Sequence, residues 1–278
     1  MRVHHLGCGT MCPFGGDFVD GNGGSLSDAA TLVCHVLVIE TERDGLVLVD
    51  AGIGRKDIEE RARLGGMFHT VARPTLDPNE TAASRVEALG HSIDDVRHIV
   101  LTHLDLDHAG GIADFPDARV HVLAPEHAAA LHPRDYHERA RYRRLQFAHG
   151  PRFETYEPRG ERWFGFESVR ELAELDAEIY LIPTIGHSRG HTAVAVNDGA
   201  RWLLHCGDAY FHRDEMKSED WGCPPGLSLF QGIVASDRER MEDNKRRLRE
   251  LKRAHGSEVT VFSAHDVREL ERLAGAAH

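Results

Sequence analysis

The chain has 278 residues and 41% of them are hydrophobic, so we expect a globular protein with a substantial buried core. Its formal net charge of −12 argues against nucleic acid or an anionic membrane as a partner. The first residues lack the apolar stretch of a signal peptide, and no apolar run is long enough to span a bilayer. The five cysteines are scattered and odd in number, which favours reduced thiols and a cytoplasmic location.

Short apolar runs alternate with charged, helix-like stretches along the chain. Strands are predicted at 3–6, 31–39, 46–49, 99–101, 119–123, 178–182, 193–196, 201–206 and 258–262. Helices are predicted at 55–64, 79–89, 125–131 and 236–254, with a last one after residue 266. The segments 8–24 and 65–78 are predicted to be long loops.

The strand at 99–101 is followed by four potential metal ligands within six residues: His103, Asp105, Asp107 and His108. Side chains alternate between the faces of a strand, so these four cannot converge from a regular strand. They can converge from a strand-end loop that enters a helical turn. Gathering imidazoles and carboxylates in this way is costly unless a cation offsets the negative charge. The pattern therefore predicts a metal site.

Three later strands end in the same manner, because His187, Asp208 and His265 each follow an apolar run. Strand ends of this kind lie along one edge of a sheet, where α/β proteins commonly place their sites. His191 is expected to form hydrogen bonds at the start of the next strand rather than to bind metal, and His205 is expected to point away from Asp208.

Two features are left open. Asp50 ends the strand at 46–49 and either orients a metal ligand or caps the next turn. The segment 132–161 is rich in Arg, His and aromatic residues. It is expected to bind a ligand, to cover the metal site as a lid, to contact a second subunit, or to be a solvated insertion.

The seven metal-ligand candidates are too many for one tetrahedral ion but suit two ions that share a carboxylate. Their order along the chain resembles that of the metallo-β-lactamase superfamily, from the Asp50-Ala51-Gly52 turn through the His-x-Asp-x-Asp-His loop to His265. The resemblance implies an α/β fold, an αβ/βα sandwich of two mixed β-sheets flanked by helices, as one domain over 1–278 with an insertion at 132–161. Within the superfamily, the layout is most similar to the acyl-homoserine-lactone lactonases.

This resemblance also implies a ligand assignment. One ion would be held by His103, Asp105 and His187, the other by Asp107, His108 and His265, with Asp208 between the two. The ions are expected to be divalent, zinc first. Asp105 replaces the second His of the usual motif, and its oxygen ligand favours manganese or iron relative to zinc more than a His would. A third carboxylate would leave the centre about neutral, which should make bound water less acidic and raise the pH optimum.

The implied function is that of a dinuclear metallohydrolase, in which a metal-bound hydroxide attacks a lactone, an ester or a similar small acyl substrate. Asp107 would orient the nucleophile or carry its proton, and Tyr210 would donate a hydrogen bond to the substrate carbonyl. Tyr210 stands two residues after Asp208, whereas the lactonases have a Tyr three residues after. The alternatives are an iron-dependent oxidoreductase acting on a sulfur compound and a non-catalytic metal-binding relative. No organic cofactor is expected, and a homodimer is open by analogy only.

Overall fold

The computed structural model describes residues 1–275 except for the side chain of Ser168, so that the last three residues of the expected domain lie outside the described part. Its strands form two six-stranded sheets. The first sheet contains, in spatial order, β1 (Arg2–Met11), β2 (Leu32–Glu40), β3 (Leu46–Val49), β4 (Val96–Val100), β5 (Arg119–Leu123) and β6 (Arg152–Tyr156). It is antiparallel from β1 to β3 and parallel from β3 to β6.

The second sheet is formed by the later strands of the chain. They are β7 (Glu161–Trp163), β8 (Phe166–Glu171), β9 (Ile179–Pro183), β10 (Thr192–Asn197), β11 (Trp202–His205) and β12 (Val259–Phe262). The spatial order is β12-β11-β10-β9-β8-β7, and the sheet is antiparallel except for the parallel pair β11 and β12.

Helices connect the strands. The α-helices are α1 (Asp17–Asp20), α2 (Arg55–Glu59), α3 (Gly65–Val71), α4 (Ala82–Ala88), α5 (Leu106–Ala109), α6 (Ala124–Leu131), α7 (Tyr136–Arg141), α8 (Pro225–Val234), α9 (Arg238–His255) and α10 (Val267–Ala274). Short 3-10 helices lie at Arg61–Arg63, Pro78–Glu80, Ile93–Asp95, Gly110–Asp114, Arg144–Phe147 and Arg213–Met216. Within residues 1–275, no helix has both the length and the apolar character that crossing a membrane requires.

The two sheets pack face to face. Leu37 and Val49 of the first sheet share a buried cluster with Leu181, Leu203 and Phe262 of the second. Along β2 and β3, each neighbouring residue points to the opposite face, and that face is buried as well. Because both faces of β2 and β3 are covered, these strands are nearly continuous apolar runs, which made them recognisable in the sequence.

Helices cover the outer face of each sheet. Ala83 of α4 and Ala129 of α6 belong to the cluster on the outside of the first sheet. Leu248 and Leu251 of α9 pack on the outside of the second. The order of layers is therefore helices, sheet, sheet, helices, which confirms the αβ/βα sandwich.

The two predicted long loops are wrong in part. β1 continues to Met11 across a register shift between Gly7 and Thr10, and the glycines of this stretch hid the strand. The helices α1 and α3 lie in the remaining parts of these segments. In the segment 132–161, α7 lies beside the sandwich and β6 forms the edge of the first sheet, so this segment is partly built into the fold.

Candidate metal centre

The predicted ligands lie at one edge of the sandwich. β3 and β4 are parallel, and so are β11 and β12, while β9 runs in the same direction as β11 because β10 is antiparallel to both. The loops that follow β4, β9, β11 and β12 therefore carry their side chains to a common place. All seven predicted ligands are found there, and they form two groups. Within each group, one potential donor atom of every residue lies within 4.8 Å of those of the other members.

The first group consists of His103, Asp105, His187 and Asp208. Asp105 Oδ2 lies 3.4 Å from His103 Nε2 and 3.1 Å from His187 Nε2. Asp208 Oδ2 lies 3.8 Å and 3.2 Å from the same two nitrogens. Two imidazole nitrogens and two carboxylate oxygens thus surround one point, as first ligands of a divalent ion do.

The second group consists of Asp107, His108 and His265. Asp107 Oδ2 lies 3.8 Å from His108 Nε2 and 3.6 Å from His265 Nε2. The other oxygen of Asp208, Oδ1, lies 3.1 Å and 3.0 Å from these nitrogens. One carboxylate therefore turns a different oxygen to each group, which is the arrangement that a bridging ligand requires.

Hydrogen bonds behind the imidazoles fix which ring nitrogen faces the centre. His108 Nδ1 donates to Asp50 Oδ2 at 2.8 Å, and His265 Nδ1 donates to the Val33 carbonyl at 2.8 Å. Because each acceptor takes the Nδ1 proton, the neutral form of each imidazole presents the lone pair of Nε2 to the second group. Asp50 also accepts the Thr102 N–H at 2.8 Å. Of the two roles left open for Asp50, the structure supports the orientation of a metal ligand.

The charges of the two groups favour an added cation. Burial alone would lower the pKa of His108, but the carboxylates of Asp208 and Asp50 raise it well above its usual value. Burial alone would raise the pKa of Asp208, but the imidazoles around it, with His265 foremost, hold it well below its usual range. Three buried atoms, His103 Nε2, His108 Nε2 and Asp208 Oδ1, have charged neighbours at 3.1–3.4 Å but make no hydrogen bond of good geometry. Unsatisfied buried polar atoms are costly, so this donor set fits divalent metal ions.

Comparison with known proteins agrees with this geometry. Residues 30–254 match the family described as the Metallo-beta-lactamase superfamily. The chain belongs to this superfamily.

Two relatives and one solved structure show its neighbours within the superfamily. "Probable metallo-hydrolase Rv2300c" of Mycobacterium tuberculosis (strain ATCC 25618 / H37Rv) is 45% identical over 266 residues, which are 96% of this chain and 80% of that protein. "N-acyl homoserine lactonase AttM" of Rhizobium radiobacter is 26% identical over 238 residues, 81% of this chain and 79% of that protein. A solved N-acyl homoserine lactone hydrolase superposes with a TM-score of 0.69 at 20% identity, covering 98% and 95% of the two chains, and so shares the fold.

Two other buried histidines, His191 and His205, lie near the candidate metal centre and form hydrogen bonds around it. His191 Nε2 accepts the Asp208 N–H at 2.9 Å, and its Nδ1 lies 2.9 Å from Thr184 Oγ1. It therefore positions Asp208, in agreement with the hydrogen-bonding role expected for it. His205 is buried and donates from Nε2 to the His35 carbonyl at 2.6 Å, so it packs away from the centre.

Tyr210 is not brought into the metal centre. The chain turns at Gly207 and Asp208, and Tyr210 enters the core between the second sheet and α9. Its hydroxyl is fully buried and donates to Glu269 Oε2 at 3.0 Å. Burial raises the pKa of Glu269 to about 7. This placement does not support the expected donation to a substrate, because the hydroxyl is enclosed and already has a partner.

Two residues that contact the candidate ligands or their loops were not identified as functional residues from the sequence. Arg141, at the end of α7, lies with Nε 3.0 Å from Asp105 Oδ1. Burial alone would raise the pKa of Asp105, but Arg141 leads the groups that hold it well below its usual range. Burial followed by Arg141 lowers the pKa of His187 to about 4. The only sequence feature that pointed here was the Arg-rich composition of 132–161.

The second is Glu126 on α6, a fully buried carboxylate. It accepts hydrogen bonds from Leu104 N and Tyr142 Oη on one oxygen, and from Ser188 Oγ and Gly190 N on the other. It therefore joins the loop that carries His103 and Asp105 to the loop that carries His187. A single Glu on a predicted helix gave no indication of this role.

An apolar wall borders the centre. The Phe211 ring stacks on His265 with 5.0 Å between the ring centroids, and it contacts Phe230 of α8 at 6.0 Å. Leu229 and Ile233 of α8 are 64% and 63% exposed.

Proposed function

We propose that the protein is a dinuclear metal-dependent hydrolase that cleaves a lactone, an ester or a similar small acyl compound. The observation that carries this proposal is the position of Asp208, whose two oxygens face two separate groups of His and Asp ligands. Superfamily membership and the hydrolases among the relatives support a hydrolase.

The ions proposed are two divalent cations, zinc first, with manganese or iron admitted by the oxygen ligand of Asp105. His103, Asp105 and His187 would hold one, Asp107, His108 and His265 the other, and Asp208 would bridge them. When bound, such ions increase the acidity of water and polarise a carbonyl group.

The chain's own residues would supply orientation and proton transfer. Asp107 lies at the second group with its side chain 12% exposed, so it can accept a hydrogen bond from attacking water and hold the proton that the water loses. Phe230 of α8, which is 36% exposed and packs on the buried Phe211 ring, would contact the apolar part of an acyl substrate. Tyr210 has no part in this scheme. We keep as proposals a cytoplasmic location, a homodimer, and the absence of nucleic-acid and membrane partners.

The test is elemental analysis of freshly purified protein together with a panel of lactones and esters. We expect about two divalent ions per chain, and a His265→Ala variant should lose metal and activity together. His255→Ala is the matched control, because His255 is partly exposed and pairs with Glu258 outside both ligand groups. Full activity in a metal-depleted His265→Ala variant would refute the scheme. About one iron per chain with oxygen consumption would favour the oxidoreductase, and metal-free protein would favour neither enzyme.

A further inference from the structure

Arg141 carries a guanidinium group to the edge of the first metal-ligand group, and its side chain is 12% exposed. Nη1 donates to the His187 carbonyl at 2.6 Å and Nη2 to the Val234 carbonyl at 3.0 Å. Two main-chain oxygens thus hold the guanidinium group, so its position does not depend on Asp105 alone. From this position Nε faces Asp105 Oδ1 at 3.0 Å.

The ion pair divides the carboxylate of Asp105 into two unlike oxygens. Oδ1 faces Arg141, while Oδ2 faces the Nε2 atoms of His103 and His187. Only Oδ2 is presented to the metal group. An arginine is always protonated in proteins, so the Asp105–Arg141 pair carries no net charge. A neutral histidine also presents one donor atom and no net charge.

We propose that Arg141 is a positioning residue that makes Asp105 a one-oxygen ligand with its charge cancelled. The pair then takes the place of the neutral imidazole that the superfamily resemblance leads one to expect at position 105. The inference rests on the proposed metal centre. The proposal also changes the expected net charge of the centre. When the positive charge of Arg141 is included, the net charge rises from about zero to about +1. The upward shift of the pH optimum expected from Asp105 therefore loses its electrostatic basis.

The effect of Arg141 on metal binding must then depend on residue 105. Arg141 Nη2 also lies 3.1 Å from His187 Nε2, where it can donate to the lone pair that a metal ion would take, and its charge would repel a divalent ion in the first group. With Asp105 present, the carboxylate offsets this repulsion and gains a fixed orientation. With a neutral residue at 105, only the repulsion remains.

The test compares Arg141→Gln in the wild-type and Asp105→His backgrounds, with Zn²⁺ affinity measured by competition against a chromophoric chelator. In the wild-type background, Arg141→Gln should weaken the first Zn²⁺ site about tenfold, because Asp105 loses the group that orients it. In the Asp105→His background, the same substitution should tighten that site about tenfold, because it removes an uncompensated cation. Asp105→Asn provides the same comparison should the Asp105→His chain fail to fold.

Arg139→Gln is the control, since Arg139 lies on the same helix with its side chain exposed, and it should change neither background. A change in the same direction in both backgrounds, or in neither, would overturn the inference. The two proposals fail separately. Wild-type protein that binds no divalent ion would refute the metal centre, whereas two bound ions with equal effects of Arg141→Gln would refute only the pairing with Asp105.

Discussion

The Glu126→Gln substitution tests whether one buried carboxylate holds the first metal-ligand group together. The distances from Glu126 to its four donors are 3.0 Å for Leu104 N, 2.9 Å for Tyr142 Oη, 2.7 Å for Ser188 Oγ and 3.0 Å for Gly190 N. Each carboxylate oxygen accepts from one main-chain N–H and one hydroxyl. A hydroxyl can rotate to accept from an amide, but a main-chain N–H cannot.

Whichever way the new amide is turned, its NH₂ group faces one main-chain donor. The variant therefore loses at least one hydrogen bond to a charged acceptor, worth about 1.5–3 kcal/mol, and leaves a buried donor unsatisfied. We expect the free energy of unfolding to fall by about 3 kcal/mol in urea titrations, with an unchanged slope. Because Leu104 and Gly190 flank the first-group ligands, the zinc that the proposed two-ion centre retains against a chelator should fall from about two ions to about one.

Glu215→Gln is the matched control. Glu215 is also buried and accepts from Phe211 N, His212 N and Gln231 Nε2, but it binds neither loop of the first group. It should lower stability and leave both ions bound. A Glu126→Gln chain within about 0.5 kcal/mol of wild type that keeps both ions would refute this reasoning, since that is the size of an ordinary surface substitution.

Two further predictions concern Asp50 and Glu269. Asp50→Asn should weaken zinc binding at the second group about 10–100-fold, because His108 Nδ1 loses its charged acceptor. Competition with a chelator measures this affinity. An unchanged affinity would mean that His108 does not need Asp50 to bind metal. The pKa of Glu269 is raised from 4.5 to about 7, so its neutral form stabilises the fold below pH 4.5, and this contribution is lost as the pH rises to about 7. Linkage predicts a loss of about 3 kcal/mol over that interval relative to Glu269→Gln, measured by urea unfolding at several pH values, and a constant difference between the two chains would contradict it.

The sequence by itself determined nine of the twelve strands that residues 1–275 form and the seven candidate ligands, but it did not indicate β6, β7 or β8. Strands such as 46–49 and 119–123 were found because they are buried on both faces, which makes their apolar runs easy to recognise, whereas β6 is largely exposed and has no such run. The ligands were found because each follows such a strand within a few residues. Information of this kind is local, and the parallel arrangement of strand ends carries it to one edge.

The tertiary structure alone decided which groups act on those ligands. Arg141 stands 36 positions after Asp105, and no pattern of spacing links them; they meet because α7 lies against the loops after β4 and β9. Glu126 acquires its role in the same way. Tyr210 shows the reverse case: it stands two residues from Asp208, yet the turn at Gly207, with a φ of 50°, leads the chain into the core. The metal-ligand candidates can be recognised from the sequence because each lies shortly after a strand. The residues that contact these ligands cannot, because they depend on how loops distant in sequence pack against one another.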